Sequence, residues 1–255
     1  MGRLRRYRTA FGRYKRGKGF GIHSPFAFGF VLKVLRERNP YYAYSKLESL
    51  RKLVISHTRH HFRHPRIISL KNAKIIFRVA NYFNPLNVLQ VGTSYGVSTV
   101  SVLSVSGKSH IYLCEPNLAD YPVTADVLAE YSTRISHFTD VEAGIAAYEA
   151  AMAISRKDSG VAGQDETVDW RKAPFVLVNN IADEREYTEV SAFLSSLLKA
   201  EAVVVMRNLA RSERVRLLWS KFCAEATFGM SFSNDKLAVF VVNRKLPRQD
   251  FSIWF

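Results

Sequence analysis

Two glycines four residues apart, Gly92 and Gly96, enclose Thr93, Ser94 and Tyr95 directly after the apolar run Val88-Leu89-Gln90-Val91 and before a helix-forming run that starts at Val97. A strand that ends in a glycine turn and opens a helix presents bare peptide N–H groups and a helix N-terminus. This is the local chemistry that holds a nucleotide-like ligand in doubly wound α/β proteins. Gly92 permits the sharp bend and leaves room for a ligand against the backbone, and Gly96 permits the following helix to pack close to its strand. A second strand, His110-Ile111-Tyr112-Leu113-Cys114, ends in Glu115. A carboxylate at that strand end is placed to accept ribose hydroxyls, and a hydrogen bond to a charged group is worth about 1.5–3 kcal/mol.

The same residues spell other motifs, which their context excludes. Gly92-Thr93-Ser94-Tyr95-Gly96 fits the G-x-S-x-G nucleophile elbow of α/β-hydrolases, but the histidines after Ser94 are His110 and His137, and no base follows residue 137. His110 opens the next strand, at the end of the sheet away from the elbow. Gly107-Lys108-Ser109 has the tail of a P-loop, yet Val102 holds the upstream glycine position and the triplet precedes a strand. A dinucleotide G-x-G-x-x-G is absent. His57, His60, His61 and His64 share one helical face by spacing, but they lie among Arg59, Arg63 and Arg66 with no acid or cysteine, so no metal site is expected there.

With these residues in place, the chain resembles a family of bacterial class I S-adenosylmethionine-dependent methyltransferases, O-methyltransferase-like and of the Bacteroidetes type. The resemblance rests on the glycine turn and acid-ended second strand, on Gly19-Phe20-Gly21-Ile22-His23-Ser24-Pro25-Phe26, and on Pro40-Tyr41-Tyr42-Ala43-Tyr44. It continues through Phe77-Arg78-Val79-Ala80-Asn81-Tyr82-Phe83 and the closing Asp250-Phe251-Ser252-Ile253-Trp254-Phe255, so it spans almost the whole chain. It implies a Rossmann-like, doubly wound, seven-stranded and mostly parallel sheet with an antiparallel last strand and helices on both faces, preceded by a helical N-terminal extension. It also implies S-adenosylmethionine as cofactor, with Gly92, Thr93, Ser94, Tyr95 and Gly96 around its amino-acid part, Glu115 on its ribose, and Asn179 with Arg207 facing the transferred methyl.

The chain departs from that family at two strand ends. The fourth strand, Phe175-Val176-Leu177-Val178, ends in Asn179-Asn180 where the family has Asp-Gly, and the fifth ends in Arg207-Asn208 where the family has paired aspartates. Hard cations need anionic ligands, and a guanidinium repels them, so a catalytic Mg²⁺ or Ca²⁺ is not expected and any methyl transfer is metal-independent. Gln90 likewise replaces an acid. No residue qualifies as a general base, and the catalytic residues stay unassigned. The alternative function is a catalytically silent methyltransferase scaffold.

That alternative draws on the charge. The chain carries a net +15 over 255 residues, but residues 1–78 hold 20 Lys and Arg against Glu37 and Glu48, and the remainder is slightly acidic. Such a block is an electrostatic footprint for RNA or an acidic partner. Residues 1–20 alternate cations with rings, as in Arg6, Tyr7, Arg8, Phe11, Arg13 and Tyr14, a mixture that neutralises phosphates and stacks on bases. Cys114 and Cys223 have neither disulfide nor metal spacing and read as packed thiols of a reducing compartment. No window approaches the ~20 apolar residues of a membrane span, and a cytoplasmic protein is expected.

The positioning elements follow from caps and periodicity. The reading divides the chain into a basic, partly helical extension over 1–70 and a methyltransferase-like domain over 71–255. Ser24-Pro25 starts a helix to about Arg38, Ser45–Ile55 forms a second, and Ser69 caps a third over 71–83 whose inward face is Ile75, Ile76, Val79 and Tyr82. Residues 155–172 read as a surface insertion, and 229–242 as a hairpin. The terminal Phe251-Ser252-Ile253-Trp254-Phe255 alternates as an edge strand that packs on its own sheet or on a second copy of the chain, a homodimer in the latter case.

Overall fold

The computed structural model describes residues 21–59, 67–116, 118, 122–157 and 168–255. The basic-aromatic run over 1–20, His60, His61 and His64, and most of the insertion lie outside the described residues. In chain order the elements are α1 (Pro25–Phe30), continued by a π-turn (Val31–Leu35), α2 (Ala43–Thr58), α3 (Leu70–Phe83), β1 (Asn87–Val91), a 3-10 turn (Ser94–Gly96), α4 (Val97–Leu103) and β2 (His110–Cys114). Then come α5 (Pro122–Leu128) with a 3-10 turn (Ala129–Arg134), β3 (Ile135–Phe138), α6 (Val141–Lys157), β4 (Phe175–Val178), α7 (Glu184–Leu197) and β5 (Ala202–Arg207). The chain closes with α8 (Glu213–Glu225), β6 (Met230–Ser233), β7 (Leu237–Val242) and β8 (Gln249–Ser252).

The strands form one sheet in the order β3-β2-β1-β4-β5-β7-β6-β8. Among the described residues only β7 runs antiparallel, against β5 on one side and β6 on the other. The chain builds outward from β1 through β2 to β3, then crosses to β4 on the other side of β1, so the carboxyl ends of β1 and β4 part at a topological switch point. This is the doubly wound α/β architecture. The sheet has eight strands where the resemblance implied seven. The extra one is β8, which pairs parallel with β6 from Met230↔Gln249 to Ser233↔Ser252 and caps an edge that β6 would otherwise expose. Phe251 stacks on Phe232 at 5.2 Å, and Ile253 and Phe255 are buried behind it, so the terminus packs on its own sheet.

Side-chain alternation along the buried parallel strands divides the core in two. Val88, Ile111, Leu113, Leu177 and Val205 face α1 to α5, whereas Leu89, Val91, Cys114, Val178 and Met206 face α6, α7 and α8. The first helices are part of the former layer. Ser24 accepts the Ala27 N–H and Ser69 the Asn72 N–H, the two N-caps read from sequence. Buried Arg78 on α3 ends the first helix: its Nε donates to the Val34 carbonyl at 2.5 Å, one terminal nitrogen to the Leu35 carbonyl at 2.8 Å and the other to the Tyr44 hydroxyl at 3.0 Å. Tyr82, read as inward, is half exposed and stands edge-on to Phe30; Ala80, Phe83 and Arg78 take the inward room instead.

Candidate functional site

The residues singled out by spacing converge at the carboxyl edge of the sheet, around the switch point. Gly92 leaves β1 in the left-handed region with φ 76°. A Cβ there would stand 3.2 Å from the Asn180 backbone nitrogen and 3.5 Å from the Asn179 Cβ, so the bare backbone of Gly92 is what lets the ends of β1 and β4 close on each other. Two carboxamides hold its carbonyl: Asn179 Nδ2 donates at 2.6 Å and Gln90 Nε2 at 2.9 Å. Gln90 Nε2 also reaches Thr99 Oγ1 at 2.9 Å, while Gln90 Oε1 is buried with no partner among the described residues. A carboxylate at position 90 in this orientation would set a negative oxygen against that carbonyl, where the amide donates instead.

The turn itself is tied by Thr93, whose hydroxyl accepts the Gly96 N–H at 3.0 Å and whose carbonyl accepts the Ser98 hydroxyl at 3.2 Å. Its backbone N–H donates to Glu115 Oε2 at 2.9 Å, joining the glycine turn to the end of β2. Ser94 contributes backbone to the turn. Tyr95 adopts φ 63°, an uncommon conformation for a side chain of its size, and its ring is buried in the core that faces α1 to α5. Gly96 makes its close approach to α5 rather than to its own strand: a Cβ would come within 2.9 Å of Val127 Cγ1 and 3.1 Å of Leu128 Cδ2. The sequence contained the glycine but not the identity of its neighbour.

Past the switch point, Arg207 at the end of β5 is 3% exposed. It donates to Asn179 Oδ1 at 3.5 Å and to Asn208 Oδ1 at 3.1 Å, and Asn208 Nδ2 donates to the Asn179 carbonyl at 2.9 Å. Burial, with Arg211 adding to it, draws the guanidinium down to about 10, so it stays cationic at neutral pH. Arg207, Asn208, Arg211 and Lys236 line a small cleft of about 150 Å³ closed on its other wall by Ser69 and Asn72 of α3's start.

Sequence reasoning missed Glu186. It lies in the first turn of α7, 6% exposed, and accepts the Ala182 N–H while its own N–H donates to Asp183 at 2.9 Å. Burial pushes its carboxyl up to about 7 against the pull of the Ala182 N–H, and Glu115, Asp183 and Glu189 add to the rise. The available signal was Asp183-x-x-Glu186, a capping-box spacing at a helix start. Burial pushes the Cys114 thiol up to about 12, with Glu186 and Asp140 adding, which fits a packed rather than a reactive cysteine. His110 sits at the far end of β2, against Ser136 Oγ at 2.9 Å, remote from Ser94, as the exclusion of a hydrolase triad requires. Among the described residues no group of three His, Cys, Asp or Glu is placed to hold a metal ion, and no helix is long and apolar enough to cross a membrane.

The sequence matches no protein-family model, and no curated protein matches it. Solved structures similar to it include an O-methyltransferase from Bacillus cereus in complex with SAH, at 17% identity and TM-score 0.49, covering 84% of this chain and 96% of that one. A SAH-bound methyltransferase from Podospora anserina aligns at 10% identity and TM-score 0.49 over 81% of this chain and 99% of its own. The O-methyltransferase TomG from Streptomyces achromogenes, in complex with SAM, aligns at 15% identity and TM-score 0.46 over 80% and 91%. The fold assignment rests on the strand order and the switch point.

Proposed function

We propose that the chain binds S-adenosylmethionine at the ends of β1 and β2 and serves as a metal-independent methyltransferase of the class I type. The observation that carries this reading is the Glu115 carboxylate at the end of β2, bonded to the Thr93 N–H beside left-handed Gly92 at the switch point. These residues fit an adenosyl ligand by their chemistry. A carboxylate at that strand end accepts ribose hydroxyls, and the turn offers peptide groups rather than side chains. The Glu115 carboxylate suits a ligand that carries a cationic sulfonium.

When bound, the cofactor supplies an electrophilic methyl group. Glu115 and the backbone of residues 92–96 hold and orient it. Asn179 positions that backbone through the Gly92 carbonyl, and Arg207 braces Asn179 from β5. The strand ends of β4 and β5 carry a buried guanidinium and amides where a divalent cation would need carboxylates, and among the described residues no three acids, histidines or cysteines are grouped to hold one, so rate enhancement comes from alignment and exclusion of water. Titration calorimetry with S-adenosylhomocysteine tests the reading: saturable heat is expected for the wild type, and heat at the baseline overturns it.

A further inference from the structure

A second cleft, of about 480 Å³, opens between the end of the first helix, the first turns of α3 and the C-terminal Trp254. Its volume lies in the range of small-ligand sites, about 300–1,000 Å³. Arg36, Arg38, Lys71 and Lys74 line it, with Arg78 at its base and Glu37 as its lone acidic side chain. The Glu37 carboxylate is turned onto its own backbone, accepting the Arg38 and Asn39 N–H groups at 2.6 and 2.8 Å. Lys71 is crowded by like charge: burial and the neighbouring Lys236, Arg36 and Arg78 hold its ammonium below the ordinary lysine value. An anion placed among these groups relieves that repulsion.

One wall is aromatic. Ile253 and Phe255 are buried, at 0% and 4% exposed, and Phe255 adjoins the cleft beside Trp254, which is 54% exposed. A cation cluster beside an accessible indole is the pairing that takes a phosphate on one side and a flat base on the other. Bare phosphate would leave the indole unused, and an uncharged nucleoside would leave the cations uncompensated.

We propose that this cleft is a nucleotide-binding site, with the phosphate on Arg36, Lys71 and Lys74 and the base on Trp254. It shares no residue with the Gly92–Glu115 cradle and does not depend on the reading of that cradle. The nucleotide is either free or the end of a single strand, and the two sources share this chemistry.

The test uses the full chain at low salt, titrated with adenosine monophosphate, adenosine, inorganic phosphate and a short oligoadenylate, followed by calorimetry. Saturable binding of the monophosphate is expected, at least about tenfold tighter than phosphate or adenosine, and weakening as salt rises. Trp254→Ala lowers the affinity about tenfold while Trp254→Phe retains most of it, and Lys71→Glu lowers it by about tenfold or more. Glu115→Ala leaves it unchanged, which separates this site from the cofactor cradle. Oligoadenylate binding tighter than the monophosphate with a steeper salt dependence assigns the site to a strand end; equal affinity assigns it to the free nucleotide. Absence of saturable binding overturns the proposal, as does binding that is lost in Glu115→Ala and unmoved by Lys71→Glu and Trp254→Ala.

Discussion

The carboxyl edge of the sheet carries opposite charge on the two sides of its switch point. Towards β2 and α7 lie Glu115, Asp140, Asp183 and Glu186; towards β5 and the β6–β7 turn lie Arg207, Arg211 and Lys236. The acidic side is partly neutralised at its rim, where Arg185 bonds Asp140, Glu142 and Glu189. Those pairs are exposed and each contributes little. Of the inner acids, Glu115 is the one bonded to the glycine turn, through the Thr93 N–H, while burial keeps Glu186 largely protonated below about pH 7. An edge polarised in this way favours a cationic ligand group over β1 and β2 and an anionic one over β5.

The strongest way to break this contrast is to remove charge on the acidic side. Glu186 holds its proton up to about pH 7 in the folded chain but only to about 4.5 once unfolded. Its contribution to stability is therefore complete below about pH 4.5 and is lost as the pH rises through about 7. Glu186→Gln keeps an acceptor for Ala182 and removes the titration. Denaturant midpoints should show the variant gaining about 3 kcal/mol over the wild type at alkaline pH and no advantage in acid. Next in size, Glu115→Ala should weaken S-adenosylhomocysteine binding about tenfold in calorimetry, with the melting temperature nearly unchanged. A variant that binds as the wild type does would remove the acidic side from ligand recognition.

Gly92→Ala sharpens the picture at the boundary itself. Left-handed φ and the 3.2 Å approach to Asn180 both oppose a Cβ, and a loss of about 1 kcal/mol is expected from thermal unfolding, with weaker cofactor binding. The smallest effect belongs to the cationic side: Lys236→Ala should change stability by less than about 0.5 kcal/mol, because it relieves repulsion with Lys71 in a solvated cleft. A large loss there would mean that Lys236 is held by structure rather than kept for a ligand.

Much of this was legible in the residues. The strand-turn-helix at Val88–Gly96, the acid at 115, the amides at 179 and 208 and the caps at Ser24 and Ser69 rest on local chemistry, and they stand where the chain order put them. What sequence reading missed depends on neighbours from far along the chain. Tyr82 fits an inward stripe by spacing, but the first helix and Arg78 fill that space. Gly96 looks adapted to its own strand, whereas the contact that demands it comes from Val127 and Leu128. Glu186 reads as an ordinary helix-start acid, and only its place in the fold, near Glu115 and Cys114, buries it. An eighth strand was implicit in the alternation near the C-terminus, but its partner β6 could not be read from it.

The double grip on the Gly92 carbonyl has one further effect. Carboxamides neither gain nor lose a proton across the biological range, so Gln90 and Asn179 hold the bend in the same shape in acid and in alkali. The protein thus sets a proton-indifferent hinge beside a carboxyl that does titrate. Any acidity dependence in what this edge binds then traces to its carboxyl groups or to the guest molecule, and not to the amides that hold the bend.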